Sequence, residues 1–168
     1  MTRAVRSLMI SVLLCGSARA GSPAERQSRT HAVLAPITLT NNRTVGYFPL
    51  DAETVERAPS VLALNITRVH NPGDTPIQVL VYLSCRPQTG RSELKKILIG
   101  NAGFYPPDHA AGVVLRASTA FRELKTARVR PSDVRLLLEM RRIDEAKPWT
   151  PVEVTVAPPE WRDQASPP

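Results

Sequence analysis

Aromatic residues make up 5% of this 168-residue chain, which holds only three histidines and two cysteines. Each scarcity excludes something. A zinc site takes three or four ligands, usually with two of them close in sequence, and His31, His70 and His109 offer no such pair. The sequence has no G-x-S-x-G nucleophile turn, and the glycine pair of residues 100–103 (GNAG) lacks the lysine and helix of a phosphate-binding loop. Acidic pairs such as Asp144-Glu145 and Asp51/Glu53 sit in polar turns and read as solvated charge. No internal repeat and no alternation of strands with helices is present. The chain is read as non-catalytic.

Long apolar runs are also missing. The first, residues 8–14, follows Arg3 and Arg6 and precedes Ala18-Arg19-Ala20. That order of charge, apolar core and small-residue cleavage site predicts a secretory signal peptide over residues 1–20. It is too short for a stable membrane span, which takes about 20 residues. Leu14 stands where a lipoprotein signal wants a small residue before Cys15, so a soluble periplasmic or secreted product is expected over a lipid anchor. Cleavage after Ala20 leaves 148 residues, enough for one domain with a single core. It lowers the formal net charge from +7 to +4, because three arginines leave with the signal. With export, that modest excess argues against a nucleic-acid partner. Cys85 is then the sole cysteine, so no internal disulfide forms, and burial is the expected fate of its thiol.

What is present reads as β-structure. In residues 60–84, Leu62, Leu64 and Ile66 alternate with Ala63, Asn65 and Thr67. After the turn-forming HNPGDT, Ile77, Val79, Val81 and Leu83 alternate with Gln78, Leu80, Tyr82 and Ser84. A period of two places each set on one face of a sheet. The pattern predicts a central antiparallel pair joined by that turn. Around it, strands are predicted at 32–40, with Pro36 confining it to an edge or bulge, and at 44–50, 94–105, 112–117, 134–143 and 151–157. One helical turn is expected at 51–59, and one short surface helix at 119–128. In 134–143, Val134, Leu136, Leu138 and Met140 face one way and Arg135, Glu139 and Arg141 the other, with Leu137 out of phase. The expected architecture is an all-β antiparallel sandwich of seven or eight strands over residues 32–157. A flexible leader at 21–31 precedes it, and a proline-rich, loosely held tail at 158–168 follows. A partly open barrel is the other arrangement compatible with this pattern.

Candidate chemistry is sparse. His70, Cys85, His109 and Met140 make the inventory of a blue-copper site. Such sites gather cysteine, histidine and methionine on one loop, whereas these residues are far apart, so no resident cofactor is expected. Copper carriage using Cys85, His70 or His109 stands as an alternative function. Phe104-Tyr105 are adjacent aromatics at a strand end, and neighbouring strand residues face opposite sides. One of them is expected to fill the core and the other is a candidate anchor for a protein partner. Trp149 and Trp161 are the tryptophans on which a polysaccharide or envelope component could stack.

The order of elements resembles the C-terminal β-sandwich domain that follows the catalytic domain of tyrosinases and polyphenol oxidases. The resemblance runs over residues 44–158. It is carried by the alternating strand at 62–69, Val81-Tyr82-Leu83, Gly100 followed by Phe104-Tyr105, the His109 loop, the helix at 120–127 and the late strand at 134–143. In that family the sandwich packs over a binuclear copper site and shields it, often by inserting a side chain. The resemblance implies an accessory protein that caps or matures a separately encoded type-3 copper oxidase, with Phe104 or Tyr105 as the inserted residue. Three histidines cannot supply two coppers with three each, so it does not imply that this chain is the oxidase.

Overall fold

The computed structural model describes residues 34–86, 94–104, 110–127, 129–144, 146 and 148–163. The predicted signal peptide with Cys15, the leader with His31, Tyr105, His109 and residues 164–168 lie outside these. Nine strands form two antiparallel sheets among the described residues. In one sheet β1 (Ile37–Thr40), β8 (Glu153–Val156), β3 (Val61–His70) and β6 (Ala111–Arg116) lie side by side, with β9 (Glu160–Arg162) also paired to β3. The other runs β2 (Val45–Pro49), β7 (Arg135–Arg142), β4 (Ile77–Cys85) and β5 (Lys95–Phe104). Helix α1 (Ala52–Arg57) is capped by Asp51, whose carboxylate accepts from the Thr54 N–H at 2.6 Å. Helix α2 (Ser118–Thr126) buries Ala120, Phe121 and Leu124 and packs beside β4 and β5. No helix among the described residues is long and apolar enough to cross a membrane.

The alternating residues form the core as the period of two requires. Leu62, Leu64 and Ile66 of β3 face Ile77, Val79, Val81 and Leu83 of β4 through one buried cluster. Phe48, Leu136, Leu138, Met140, Val154 and Val156 complete it. The all-β antiparallel sandwich is therefore the fold.

The pairing of its two most apolar strands differs from the expectation. β3 and β4 do not form a hairpin: β3 pairs with β6, β8 and β9, and β4 with β5 and β7. The HNPGDT turn carries the chain from one sheet to the other. A two-residue hairpin turn keeps the ladder intact on both sides, whereas here six residues intervene and Pro72 and Pro76 have no N–H to donate. Asn71 is buried and grips the turn. Its amide donates to the Thr75 carbonyl at 2.7 Å, and its carbonyl oxygen accepts from the Thr75 N–H at 3.1 Å. The Thr75 and Thr150 hydroxyls then join the turn to the 148–152 connection. With apolar faces on both arms, crossing the core lets each strand bury its side chains against the other.

Two glycines let the sheets approach along both open sides. A Cβ on Gly46 of β2 would lie 2.5 Å from Ile37 Cγ2 and 3.2 Å from Leu39 Cδ2 on β1. A Cβ on Gly100 of β5 would lie 3.0 Å from Leu115 Cδ2 on β6. Beside Gly100, Ile99 is an extra residue in the β4–β5 ladder, because Val81 pairs with Gly100 and Tyr82 with Leu98. This is a β-bulge next to a glycine within the strand predicted at 94–105. The segment read as a loose tail contributes β9, where Trp161 meets Phe121 edge to face with ring centroids 5.4 Å apart.

Candidate interaction face

The sequence candidates do not come together. Phe104 is 5% exposed and belongs to the core, opposite Ile77 of β4, so it is not an outward anchor. Its neighbour Tyr105, like His109, lies outside the described residues. Cys85 is fully buried at the end of β4, and burial pushes its thiol above the ordinary range, against the opposing pull of the Lys95 ammonium. His70 is exposed at the other end of the fold, where β3 gives way to the turn before β4. β4 alone spans about 27 Å at the rise of an antiparallel strand, so Cys85 and His70 cannot share an ion. Met140 is a core residue. No group of three or more metal-ligating side chains occurs among the described residues. Neither tryptophan is a free platform: Trp149 is half-buried with the Arg142 guanidinium 5.3 Å from its ring, and Trp161 packs on Phe121.

The feature that register assembles is on the outward face of the β2-β7-β4-β5 sheet. Tyr47 pairs with Leu137, Leu137 with Tyr82, and Tyr82 with Leu98. These four side chains form one row across all four strands, about 14 Å wide at the usual strand spacing. Tyr47 is 43% and Leu98 56% exposed, while Leu137 beneath them is fully buried. The next row, Val45, Glu139, Leu80 and Asn101, adds two half-buried apolar side chains. Leu137 explains its own departure from phase: its neighbours on both sides are tyrosines, and their rings shelter it on the side of the sheet away from the core.

Charge brackets the row. On one side Glu139 accepts from Lys96 Nζ at 3.1 Å and from Arg141 Nε at 2.9 Å. Desolvation raises the Glu139 carboxyl, but the hydrogen bonds and charges of Arg141 and Lys96 outweigh it and hold the group below the usual carboxylate range. The Lys96 ammonium also lies 5.6 Å from the centre of the Tyr82 ring, a cation over an aromatic face. On the other side a cleft of about 410 Å³ is lined by Tyr47, Ser84, Arg86, Leu94, Ser132, Asp133 and Arg135.

Sequence reading missed this row, although two signals pointed to it. Leu80 and Tyr82 are large residues at outward positions of β4, and Leu137 is one at an outward position of β7. Aligning them with Tyr47 and Leu98 requires the inter-strand register, which the sequence does not state.

The fold and this face define a class: an antiparallel β-sandwich with an apolar, tyrosine-bearing outer face edged by positive charge. Compared with protein-family models, with curated proteins and with solved structures, the chain matched none.

Proposed function

We propose that this chain is an exported, non-catalytic binding module that docks a protein partner on the outward face of its four-stranded sheet. The single observation behind this reading is the Tyr47–Leu137–Tyr82–Leu98 row, with Tyr47 and Leu98 exposed on a surface otherwise short of aromatics. Tyrosine and leucine in such a row offer rigid apolar area at little entropic cost, and the flanking polar groups supply a rim. The resemblance to the C-terminal domain of tyrosinases supports a type-3 copper oxidase as that partner, with this chain as its cap or maturation factor. Since Phe104 is part of the core, a side chain inserted by the aromatic pair would be that of Tyr105.

A photocrosslinking amino acid at Leu98 tests the reading in native extract, with the same group at Val114 on the opposite sheet as control. Val114 is 70% exposed, so both probes reach solvent. A protein adduct at position 98 and none at 114 supports docking on this face. Equal labelling at both positions removes it. A copper oxidase in the adduct supports the cap, and any other protein there removes the oxidase while leaving the binding role.

A further inference from the structure

The cleft beside Tyr47 has chemistry that the apolar row does not use. Arg86 follows the last residue of β4, and Arg135 opens β7, so the strand ends bring two guanidinium groups to one rim. Both residues are exposed, and neither forms an ion pair with a described residue. The Ser84 hydroxyl donates to the Arg135 carbonyl at 3.3 Å, which ties β4 to β7 beneath the cleft. Ser132 adds a second hydroxyl, while Leu94 and Tyr47 provide an apolar wall. Among the described lining residues Asp133 is the one acid against two arginines, which leaves them a positive excess. Lys96 stands in the same row, since Arg135 pairs with Ser84 and Ser84 with Lys96, but its ammonium is taken by Glu139 at 3.1 Å, so the charge of the cleft is that of its arginines.

We propose that this cleft is a carboxylate anchor, and that the partner of the sheet face presents an acidic segment with apolar residues set beside its acids. The proposal rests on the binding role given above and specifies its partner. Guanidinium groups fit carboxylates in paired, planar geometry, and two at a common rim, with no ion pair to a described residue, offer more than one such fork. The apolar row lies one residue pair along the strands from Arg135, because Leu137 is two residues further on. A segment lying across the sheet therefore meets charge at its flank and apolar surface along its middle. Glu139 is already held by Lys96 and Arg141, so the second flank is neutralised internally and the charge preference belongs to the cleft side.

The probe is a fluorescein-labelled ten-residue peptide of aspartate and glutamate around a central leucine–phenylalanine pair. Its comparators are the same peptide with lysine for every acid and a heparin-derived sulfated oligosaccharide. Binding is followed by fluorescence anisotropy with the mature chain. The acidic peptide is expected to bind, to weaken with added salt, and to lose about tenfold in affinity in Arg135→Gln and in Arg86→Gln. Unchanged circular dichroism in both variants keeps that loss separate from misfolding. An acidic peptide that binds the double variant Arg86→Gln/Arg135→Gln as well as wild type overturns the anchor, as does tighter binding of the oligosaccharide than of the peptide. The two readings fail separately. If Leu98→Ser abolishes peptide binding and Tyr47→Ser abolishes the crosslink from position 98, while both arginine variants retain them, the face stands and the anchor falls. If the arginine variants alone lose the peptide, the cleft is an anion site and docking on the apolar row falls.

Discussion

Replacing Gly46 by alanine tests how closely the sandwich closes along its β1–β2 side. The new Cβ would sit 2.5 Å from Ile37 Cγ2 and 3.2 Å from Leu39 Cδ2, with Ile37 Cδ1 at 3.6 Å. Carbon atoms rest comfortably at about 3.5–4.0 Å, so the contact with Ile37 is short by roughly 1 Å. Leu39 is fully buried and has nowhere to go. Ile37 is half-buried on an edge strand and must give way, leaving its preferred rotamer or shifting β1. Overpacking of this kind costs about 1–3 kcal/mol. The reduced freedom of alanine in the unfolded chain returns about 0.4–1 kcal/mol, so a net loss of about 1–2 kcal/mol is expected. Urea unfolding followed by the fluorescence of Trp149 and Trp161 measures it. Adding Ile37→Ala removes the clashing Cγ2 branch, and the double variant should lose markedly less than the sum of the singles. A Gly46→Ala protein as stable as wild type, or strictly additive singles, would refute the close approach of β1 to β2.

Further expectations concern the turn, the thiol and the charged flank. Asn71→Ala removes both hydrogen bonds to Thr75 inside a buried turn, and urea unfolding should show a loss of about 1–3 kcal/mol. Cys85 should not react with Ellman's reagent in the folded protein and should react fully in denaturant, since only the thiolate is nucleophilic and this thiol is buried. Its raised folded pKa gives stability that is complete below the unfolded value, about 8.5, and lost as pH rises through the folded one, so Cys85→Ala should flatten the alkaline side of the stability profile. Glu139 behaves in the opposite sense: its lowered folded pKa gives stability present above the unfolded value and lost as pH falls through the folded one. Glu139→Gln should therefore reduce the acid sensitivity of unfolding, and an unaltered profile would mean that Lys96 and Arg141 do not hold it in solution.

The sequence alone carried the strands and their faces. Leu62, Leu64 and Ile66, then Ile77, Val79, Val81 and Leu83, announce their buried side because a period of two is a local property of the backbone. Pro36 lies just before β1 and Pro59 just past α1, for reasons equally local. Tertiary structure decided which strands met. The turn at Asn71 read as a hairpin because its composition says only that the chain reverses, whereas pairing depends on whether two apolar faces do better side by side or across a core. The docking face was hidden for the same reason. Tyr47, Leu137, Tyr82 and Leu98 come from four strands, and they become a surface only when hydrogen-bond register sets them abreast. Arg86 and Arg135 are 49 positions apart, and the ends of β4 and β7 bring them to one cleft. Periodicity is written along the chain, but register is a relation between distant segments, and packing across the whole core selects it.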